Sequence, residues 1–253
     1  MENLRILNLA LHNWTFQEFL EQLEAGVVVT PNIDHFVKLQ KDKEFYECYV
    51  NSEHIVCDSR VIQLLSRFLY PGKGVAEQIA GSDLFPAYCE HHKDNTDNVK
   101  VFLLGGTEAS VEIAMQNINH NTNSNVVVAG YSPPFGFEKS EEESKKIVSM
   151  VNDSGATALA VGVGAPKQEK WIFAHKDNMP DVKLFFAIGA AIDFQAGVVK
   201  RGPRWMVNVG LEWFYRMIKE PGRLVKRYLI DDLPFLWLIV KQKLGLYRNP
   251  WES

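Results

Sequence analysis

Short apolar runs alternate along the chain with longer segments of mixed polar and apolar residues. The runs are rich in Val, Ile and Leu and are apolar at successive positions, which is typical of strands buried on both faces. They are Val27–Val29, His54–Cys57, Val101–Leu104, Val126–Val128, Ala158–Val161 and Leu184–Ile188. Segments of helical character between them include Arg60–Phe68, Glu108–Asn117, Ser140–Asn152 and Lys167–Lys176. Alternating strands and helices predict an α/β fold with a mainly parallel sheet and helices on both faces.

The charge of the chain changes sign near residue 200. The 253 residues include 27 basic and 31 acidic side chains, for a net charge of −4. Residues 1–199 carry −10, whereas residues 200–253 carry +6 and hold four of the six tryptophans. We therefore predict an α/β domain over residues 1–200 and a basic, aromatic-rich helical appendage over residues 201–253. Such an appendage favours an anionic partner, which is a membrane surface, a lipid phosphate or a nucleic acid.

The composition limits the class of protein further. With 46% hydrophobic residues, the chain is not intrinsically disordered. Its three cysteines are too few for a disulfide framework and indicate a reducing compartment. The first 16 residues are too polar for a secretory signal, and the run Leu233–Val240 is far shorter than the roughly 20 residues that span a membrane. We expect a cytoplasmic protein that touches a membrane without crossing it.

Candidate site residues follow the predicted strands, because parallel sheets bind ligands beyond the carboxyl ends of their strands. Glycine directly follows three of the six runs and comes one residue later after a fourth, and glycine permits positive φ and close approach of a ligand to the backbone. A helix that begins there presents free N–H groups to an anion such as a diphosphate. These positions, which include Gly105, Gly106 and Gly164, predict a site for a nucleotide or another phosphorylated ligand.

Several motifs of nucleotide and metal enzymes are absent from the sequence. It contains no G-x-x-x-x-G-K-[ST] loop, and no G-x-G-x-x-G follows a strand, since Gly164 is succeeded by Ala165, Pro166 and Lys167. H-E-x-x-H, paired C-x-x-C and D-x-D are also missing. We therefore expect a site without a metal, in which dipoles and basic side chains neutralise a diphosphate.

Asp58 is the strongest candidate for catalysis. It directly follows the run that ends at Cys57, so it lies at the mouth of the predicted sheet in a partly apolar setting that suits a general base. The alternative is a structural role, because Asp or Ser commonly caps a helix such as Arg60–Phe68.

Other polar residues at strand ends have two interpretations each. Thr30 and Asn32 are short polar residues well placed to bind a substrate. Asp193 either accepts a hydrogen bond from a ribose or base, or caps a turn. Lys167 either pairs with a phosphate or is a solvated lysine in the first turn of a helix.

Seven segments, taken in order, resemble the WecG/TagA/CpsF family of bacterial glycosyltransferases, glycosyltransferase family 26. They are VVTPNIDHFVKL, VCDSR, IAGSDL, FLLGG, VGVGAPKQEKWI, AIGAAIDFQAG and KRGPRWMVNVGLEWFYRMIKEPGRLVKRY. The resemblance extends from about Val27 to Tyr228. It implies a Rossmann-like fold of the type called GT-E and an inverting, metal-independent reaction.

The resemblance also implies the substrates and the location. Family members transfer N-acetylmannosamine, its uronic acid or another hexose from UDP to an undecaprenyl-diphosphate-linked saccharide. The products enter teichoic acid, capsule, exopolysaccharide or related cell-surface polymers. The implied partners are a UDP-sugar, a lipid-linked saccharide and an anionic membrane surface rather than a nucleic acid, and no cofactor is implied. The enzyme would lie at the inner face of the cell membrane.

By the same resemblance, individual residues acquire roles. Asp58 corresponds to the general base, Thr30 and Asn32 to substrate-site residues, and Gln168 and Asp193 to contacts with the nucleotide sugar. The basic appendage would dock on the membrane and contribute arginines to the diphosphate. Those arginines are Arg201, Arg204, Arg216, Arg223 and Arg227.

The chain departs from the family pattern at two positions. Many members have Gly where this chain has Ser59, and Arg where it has Gln78, so the identity of the donor or acceptor is left open. Two other classes of function also stay open. A nucleotide-binding oxidoreductase fits the fold but not the glycine fingerprint, and a non-catalytic lipid-saccharide-binding assembly protein fits the appendage but leaves Asp58 and Gln168 unexplained.

Overall fold

A six-stranded parallel sheet forms the centre of the fold, and a small antiparallel hairpin precedes it. The computed structural model describes residues 3–199, 202–203, 206, 212–219 and 221–252. The hairpin consists of β1 (Leu4–Ile6) and β2 (Leu9–Leu11), and the sheet of β3 (Gly26–Val29), β4 (His54–Ile55), β5 (Val101–Gly105), β6 (Val127–Tyr131), β7 (Ala158–Gly162) and β8 (Leu184–Ala187). The sheet order is β4, β3, β8, β7, β5, β6, with every neighbouring pair parallel. This Rossmann-like arrangement confirms the predicted fold class and all six predicted strands.

Helices connect the strands and pack against the sheet. Up to residue 199 they are α1 (Phe16–Glu21), α2 (Ile33–Lys38), α3 (Lys43–Val50), α4 (Arg60–Leu69), α5 (Gly81–His91), α6 (Glu108–Thr122), α7 (Glu141–Asp153), α8 (Lys167–His175) and α9 (Ala191–Gln195), with short 3-10 turns at Phe137–Lys139 and Lys176–Asn178. Capping residues explain where several begin, because a side-chain oxygen accepts a backbone N–H of the first turn. The caps of this kind include Thr15, Asn32, Asp42, Ser59, Thr107 and Ser140. Each of the four predicted helices is confirmed.

The C-terminal segment is helical, as predicted. It contains α10 (Glu212–Lys219), α11 (Pro221–Lys226), a π-helical turn over Arg227–Asp231 and α12 (Leu233–Lys243). No helix in the described part of the chain combines the length and the apolar character that a membrane span requires.

Alternate residues of the strands supply two separate hydrophobic cores, one on each face of the sheet. In β3, Val27 and Val29 pack on one face and Val28 on the other. The first face is covered by the hairpin and by helices that include α2, α3, α4, α8 and α12, and the second by helices that include α1, α5 and α6. Burial on both faces explains why the strands read as uninterrupted apolar runs.

α12 is anchored on the first face through its buried side chains. Phe235 is fully buried, with its ring centroid 5.5 Å from that of Phe36 in α2. The Gln242 side-chain oxygen accepts a hydrogen bond from the backbone N–H of Leu7 in the hairpin at 2.8 Å. Lys243 Nζ donates to the backbone oxygen of Leu69 at the end of α4 at 3.0 Å. The C-terminal segment therefore packs directly against the α/β body, although the division into two domains stays a prediction.

Candidate active site

A cavity of about 730 Å³ opens at the carboxyl ends of four neighbouring strands, β4, β3, β8 and β7. Its floor comes from the residues that follow these strands, and its opposite wall comes from the C-terminal segment. The wall residues include Arg227, Tyr228, Asp231, Asp232, Leu233 and Leu236. The cavity occupies the position where parallel α/β sheets bind ligands.

The structure brings six of the predicted site residues together at this cavity. They are Thr30, Asn32, Asp58, Gly164, Gln168 and Arg227. Gly105, Gly106 and Asp193 are not among the residues that line the cavity. Gly106 and Asp193 are close to each other, since a Cβ on Gly106 would be 3.4 Å from Asp193 Oδ1. Lys167 Nζ lies 5.0 Å from the ring centroid of the exposed Phe135.

The other four predicted arginines lie wholly or partly outside the described parts of the chain. Arg201 and Arg204 lie outside the described residues. Arg216 and Arg223 have helical backbones in α10 and α11, but their side chains lie outside the described parts of the chain. Their predicted contact with a diphosphate therefore stays a prediction.

Asp58 is half-buried at the cavity, three residues beyond the end of β4. The residue that caps α4 is Ser59 rather than Asp58, and its hydroxyl oxygen accepts the N–H of Ile62 at 3.4 Å. Gln78 Nε2 donates to the backbone oxygen of Asp58 at 2.7 Å, and the N–H of Asp58 donates to the backbone oxygen of Pro31 at 3.3 Å. Both departures from the family pattern thus help to hold the backbone around Asp58.

Asn32 joins α2 to the C-terminal segment. Its Oδ1 accepts the N–H of His35 at 3.2 Å, which caps α2, and also accepts a hydrogen bond from Arg227 Nη2 at 3.1 Å. Burial lowers the pKa of His35 to about 3, so its ring is neutral at physiological pH. A proton on Nδ1 lets the ring donate to Tyr49 Oη at 2.7 Å while Nε2 accepts from Asn32 Nδ2 at 3.4 Å.

The Arg227 guanidinium also faces a carboxylate. Asp34 Oδ2 lies 2.8 Å from Lys38 Nζ and 3.5 Å from Arg227 Nη2. Burial alone would raise the pKa of Asp34, but the nearby cations of Arg227 and Lys38 lower it overall. Lys38, Arg60 and Arg227 line the cavity and offer cations for a phosphate. Carboxylates line it as well, those of Asp34, Asp58, Asp231 and Asp232. Among the described residues, no three His, Cys, Asp or Glu side chains are grouped to hold a metal ion.

Gln168 joins the ends of β7 and β8. Its Oε1 accepts two backbone hydrogen bonds, from the N–H of Gly164 and of Gly189, each at 3.1 Å. Its Nε2 donates to Glu169 Oε1 at 3.0 Å, which fixes the orientation of the amide. Both side chains are about 1% exposed. Gln168 therefore shapes the cavity floor, and two glycine N–H groups that could have faced a diphosphate are already bonded.

Sequence reasoning missed two features of the site. The bond from Gln168 to the glycines joins positions 4 and 21 residues apart, and nothing in the local pattern signals it. Asp231 and Asp232 in the cavity wall were also missed. Their signal was available, because a pair of acids interrupts an otherwise basic segment directly before an apolar run.

The family model described as glycosyl transferase WecG/TagA/CpsF family matches residues 4–249 of the chain. The chain belongs to the WecG/TagA/CpsF family. The match is longer than the resemblance seen in the sequence and includes the hairpin and α12. This WecG/TagA/CpsF glycosyltransferase accordingly has a nucleotide-sugar donor and a saccharide acceptor as its two substrate classes. Because this family consists of glycosyltransferases, the alternative of a nucleotide-binding oxidoreductase is excluded.

Replacing Glu169 with Gln should stabilise the WecG/TagA/CpsF glycosyltransferase more at pH 8 than at pH 5. Burial raises the pKa of Glu169 from 4.5 to about 7, so the folded chain holds a proton that the unfolded chain releases. The stability of the native protein therefore falls as pH rises from about 4.5 to about 7. Gln keeps the acceptor for Gln168 and removes this titration, which is worth about 2 kcal/mol between pH 5 and 8.

Urea unfolding at the two pH values measures this difference. The matched control is Glu142→Gln, which changes an exposed side chain in the first turn of α7 and should show little difference between pH 5 and pH 8. A stability gain for Glu169→Gln that is the same at both pH values would contradict the raised pKa of Glu169.

Proposed function

We propose that this chain is an inverting glycosyltransferase that transfers a sugar from UDP to an undecaprenyl-diphosphate-linked saccharide without a metal. The reaction would take place at the inner face of the cell membrane and contribute to a cell-surface polysaccharide. The observation that carries the proposal is the position of Asp58 in a cavity whose walls also hold Lys38, Arg60 and Arg227. A carboxylate and several cations in one cavity match the needs of base catalysis and of a diphosphate leaving group.

The proposed reaction is a single displacement. Asp58 removes the proton from the acceptor hydroxyl while the hydroxyl oxygen attacks the anomeric carbon of the donor sugar. The bond from this carbon to the β-phosphate oxygen breaks on the opposite face, so the configuration inverts and UDP leaves with the electron pair. The cations of Lys38, Arg60 and Arg227 stabilise the negative charge that develops on the diphosphate.

The other predicted site residues would contact different parts of the substrates. The nucleotide would extend from the cavity toward Gly105 and Gly106 at the end of β5 and Asp193 in α9. Gln168 would contact the nucleotide sugar only through Nε2, because its oxygen already accepts two backbone hydrogen bonds. Thr30 and Asn32 line the cavity and would bind substrate there.

An exposed apolar surface supports the proposed membrane location. We call it the α4–α12 face, and it comprises Leu64, Phe68, Leu233, Leu236, Trp237, Val240 and Leu244, each at least 38% exposed. Lys243 lies over the ring of Phe68 and Lys241 over that of Trp237, at 5.4 and 5.5 Å. Aromatic and basic side chains around an apolar surface are typical of proteins that lie at a membrane interface.

The α4–α12 face continues into the cavity. Leu233 and Leu236 belong to this face and also line the cavity. A lipid-linked acceptor could therefore keep its hydrocarbon chain in the membrane while its saccharide reaches Asp58. This continuity favours a lipid-linked acceptor over a free saccharide.

Asp58→Asn should lower turnover by about 10²- to 10⁴-fold, because the amide keeps the shape of the side chain and removes the base. UDP release from a UDP-sugar, measured with a prenyl-diphosphate-linked saccharide as acceptor, gives the rate. Asp97→Asn, an exposed position beyond α5, is the matched control and should keep normal turnover. Near-normal turnover of Asp58→Asn would show that Asp58 is not the base, and no UDP release by the native chain with any donor would favour the non-catalytic alternative.

Serine at both Phe68 and Trp237 should weaken membrane binding at least about tenfold, because two large apolar side chains are no longer available to enter the interface. Binding is measured by sedimentation with vesicles of phosphatidylcholine and phosphatidylglycerol, and added salt should weaken it further. Ile113→Ser is the control, since Ile113 is 41% exposed on α6 at the opposite face of the sheet. An equal loss with Ile113→Ser, or none with the double variant, would contradict the proposed surface.

A further inference from the structure

Asp232 occupies a helix cap position without capping the helix. It directly precedes α12, but its backbone is already helical, with φ −87° and ψ −16°, and no N–H of the first turn is bonded to its side chain. Pro234 in that first turn has no N–H to offer. The usual structural reason for an aspartate at this position therefore does not apply.

The side chain of Asp232 is instead buried in the cavity wall. Asp232 is only 7% exposed and lines the cavity, and the described residues offer no hydrogen-bond partner for its Oδ1. A buried acceptor without a partner is costly, and native proteins rarely keep one. A ligand in the cavity would supply the missing donor.

A second buried polar group without a hydrogen-bond partner comes from the same turn of the chain. The Nε–H of Arg227 is also buried without a hydrogen-bond partner among the described residues, and Arg227 lines the same cavity. The backbone N–H of Asp232 donates to the backbone oxygen of Arg227 at 2.8 Å, so the π-helical turn holds the two residues together. One helical turn of the cavity wall thus carries a donor and an acceptor that both lack a hydrogen-bond partner among the described residues.

A hydroxyl group satisfies both atoms, since it accepts from an N–H and donates to a carboxylate. Next to Asp232 itself, the negative charges of Asp232, Asp34 and Asp231 disfavour an anionic ligand group, although Lys38, Arg60 and Arg227 line other parts of the cavity wall. Burial, together with the negative charges of Asp34 and Asp231, raises the pKa of Asp232 to about 6 despite the cation of Arg227. A carboxylate or phosphate oxygen next to Asp232 would add repulsion and bring no proton to share.

We propose that Asp232 and the Nε of Arg227 form a subsite that recognises a hydroxyl of a neutral hexopyranose and disfavours a hexuronate. The inference rests on the proposed function in that the cavity binds sugars. It goes further by assigning specificity to the C-terminal segment. The sugar belongs either to the donor or to the acceptor, and the experiment distinguishes the two.

The test compares the native full-length chain with Asp232→Asn and Asp232→Leu by calorimetric titration. The probes are UDP, UDP-glucose, UDP-glucuronate and a short prenyl-diphosphate-linked N-acetylglucosamine. Asp232→Leu should weaken binding of UDP-glucose or of the prenyl-linked sugar by about 10- to 100-fold and leave binding of UDP unchanged. Asp232→Asn, which keeps an acceptor oxygen without the charge, should lose less. The probe that is affected identifies the donor or the acceptor sugar.

Two readouts separate recognition from a structural role. Asp232→Leu should unfold at the same temperature as the native chain or higher, because it removes a buried acceptor that has no hydrogen-bond partner. If the donor sugar occupies the subsite, the native chain should also bind UDP-glucose at least about tenfold more tightly than UDP-glucuronate, and Asp232→Leu should narrow this difference. Asp177→Asn, on the exposed turn after α8, is the control and should bind every probe normally.

Native affinity of Asp232→Leu for both sugar-bearing probes would overturn the subsite. Destabilisation of Asp232→Leu together with equal losses for all probes, UDP included, would show a structural role and also overturn it. Failure of the native chain to bind UDP or any UDP-sugar is a different result, because it would overturn the proposed function and the subsite with it.

Discussion

The parallel register of four neighbouring strands determines where every group of the site lies. Pairing of Val29 with Ile55 and with Ala187, and of Ala187 with Val161, makes β4, β3, β8 and β7 end at the same edge of the sheet. Residues far apart in sequence then meet within a few positions of these ends. The Gln168 oxygen, bonded to the N–H groups after β7 and β8, fixes the spacing of two of the ends. A shift in register would separate Asp58 from the rest of the cavity.

The C-terminal segment completes this site from the opposite side. Its net positive charge looks at first like a surface feature, but Arg227 reaches inward to Asn32 and Asp34 and so closes the cavity wall. Buried Phe235 packs the adjoining helix α12 against Phe36 of α2, and the hydrogen bonds of Gln242 hold it on the hairpin. The same helix turns Leu236 and Trp237 outward. One segment therefore links the cavity, the proposed sugar subsite in its wall and the proposed membrane surface.

The sequence predicts the sheet well and the site in part, for identifiable physical reasons. Strands buried on both faces leave uninterrupted apolar runs, and this signal located all six strands and placed Asp58 just beyond β4. The hairpin was missed because its strands have three residues each, too few to establish a period. The roles of Gln168 and Asp232 depend on which atoms tertiary packing leaves bonded or unmet, and local sequence does not contain that information.

Thermal unfolding of the full-length chain with UDP-, GDP- and dTDP-sugars tests most directly whether the cavity binds a nucleotide sugar. A ligand that binds only the folded chain stabilises it by about 2.7 kcal/mol at a concentration 100 times its Kd, which raises the unfolding temperature by several degrees. We expect a concentration-dependent rise of the unfolding temperature with a UDP-sugar and a smaller rise, or none, with its GDP and dTDP counterparts. No rise with any UDP-sugar, or an equal rise with all three nucleotides, would contradict it.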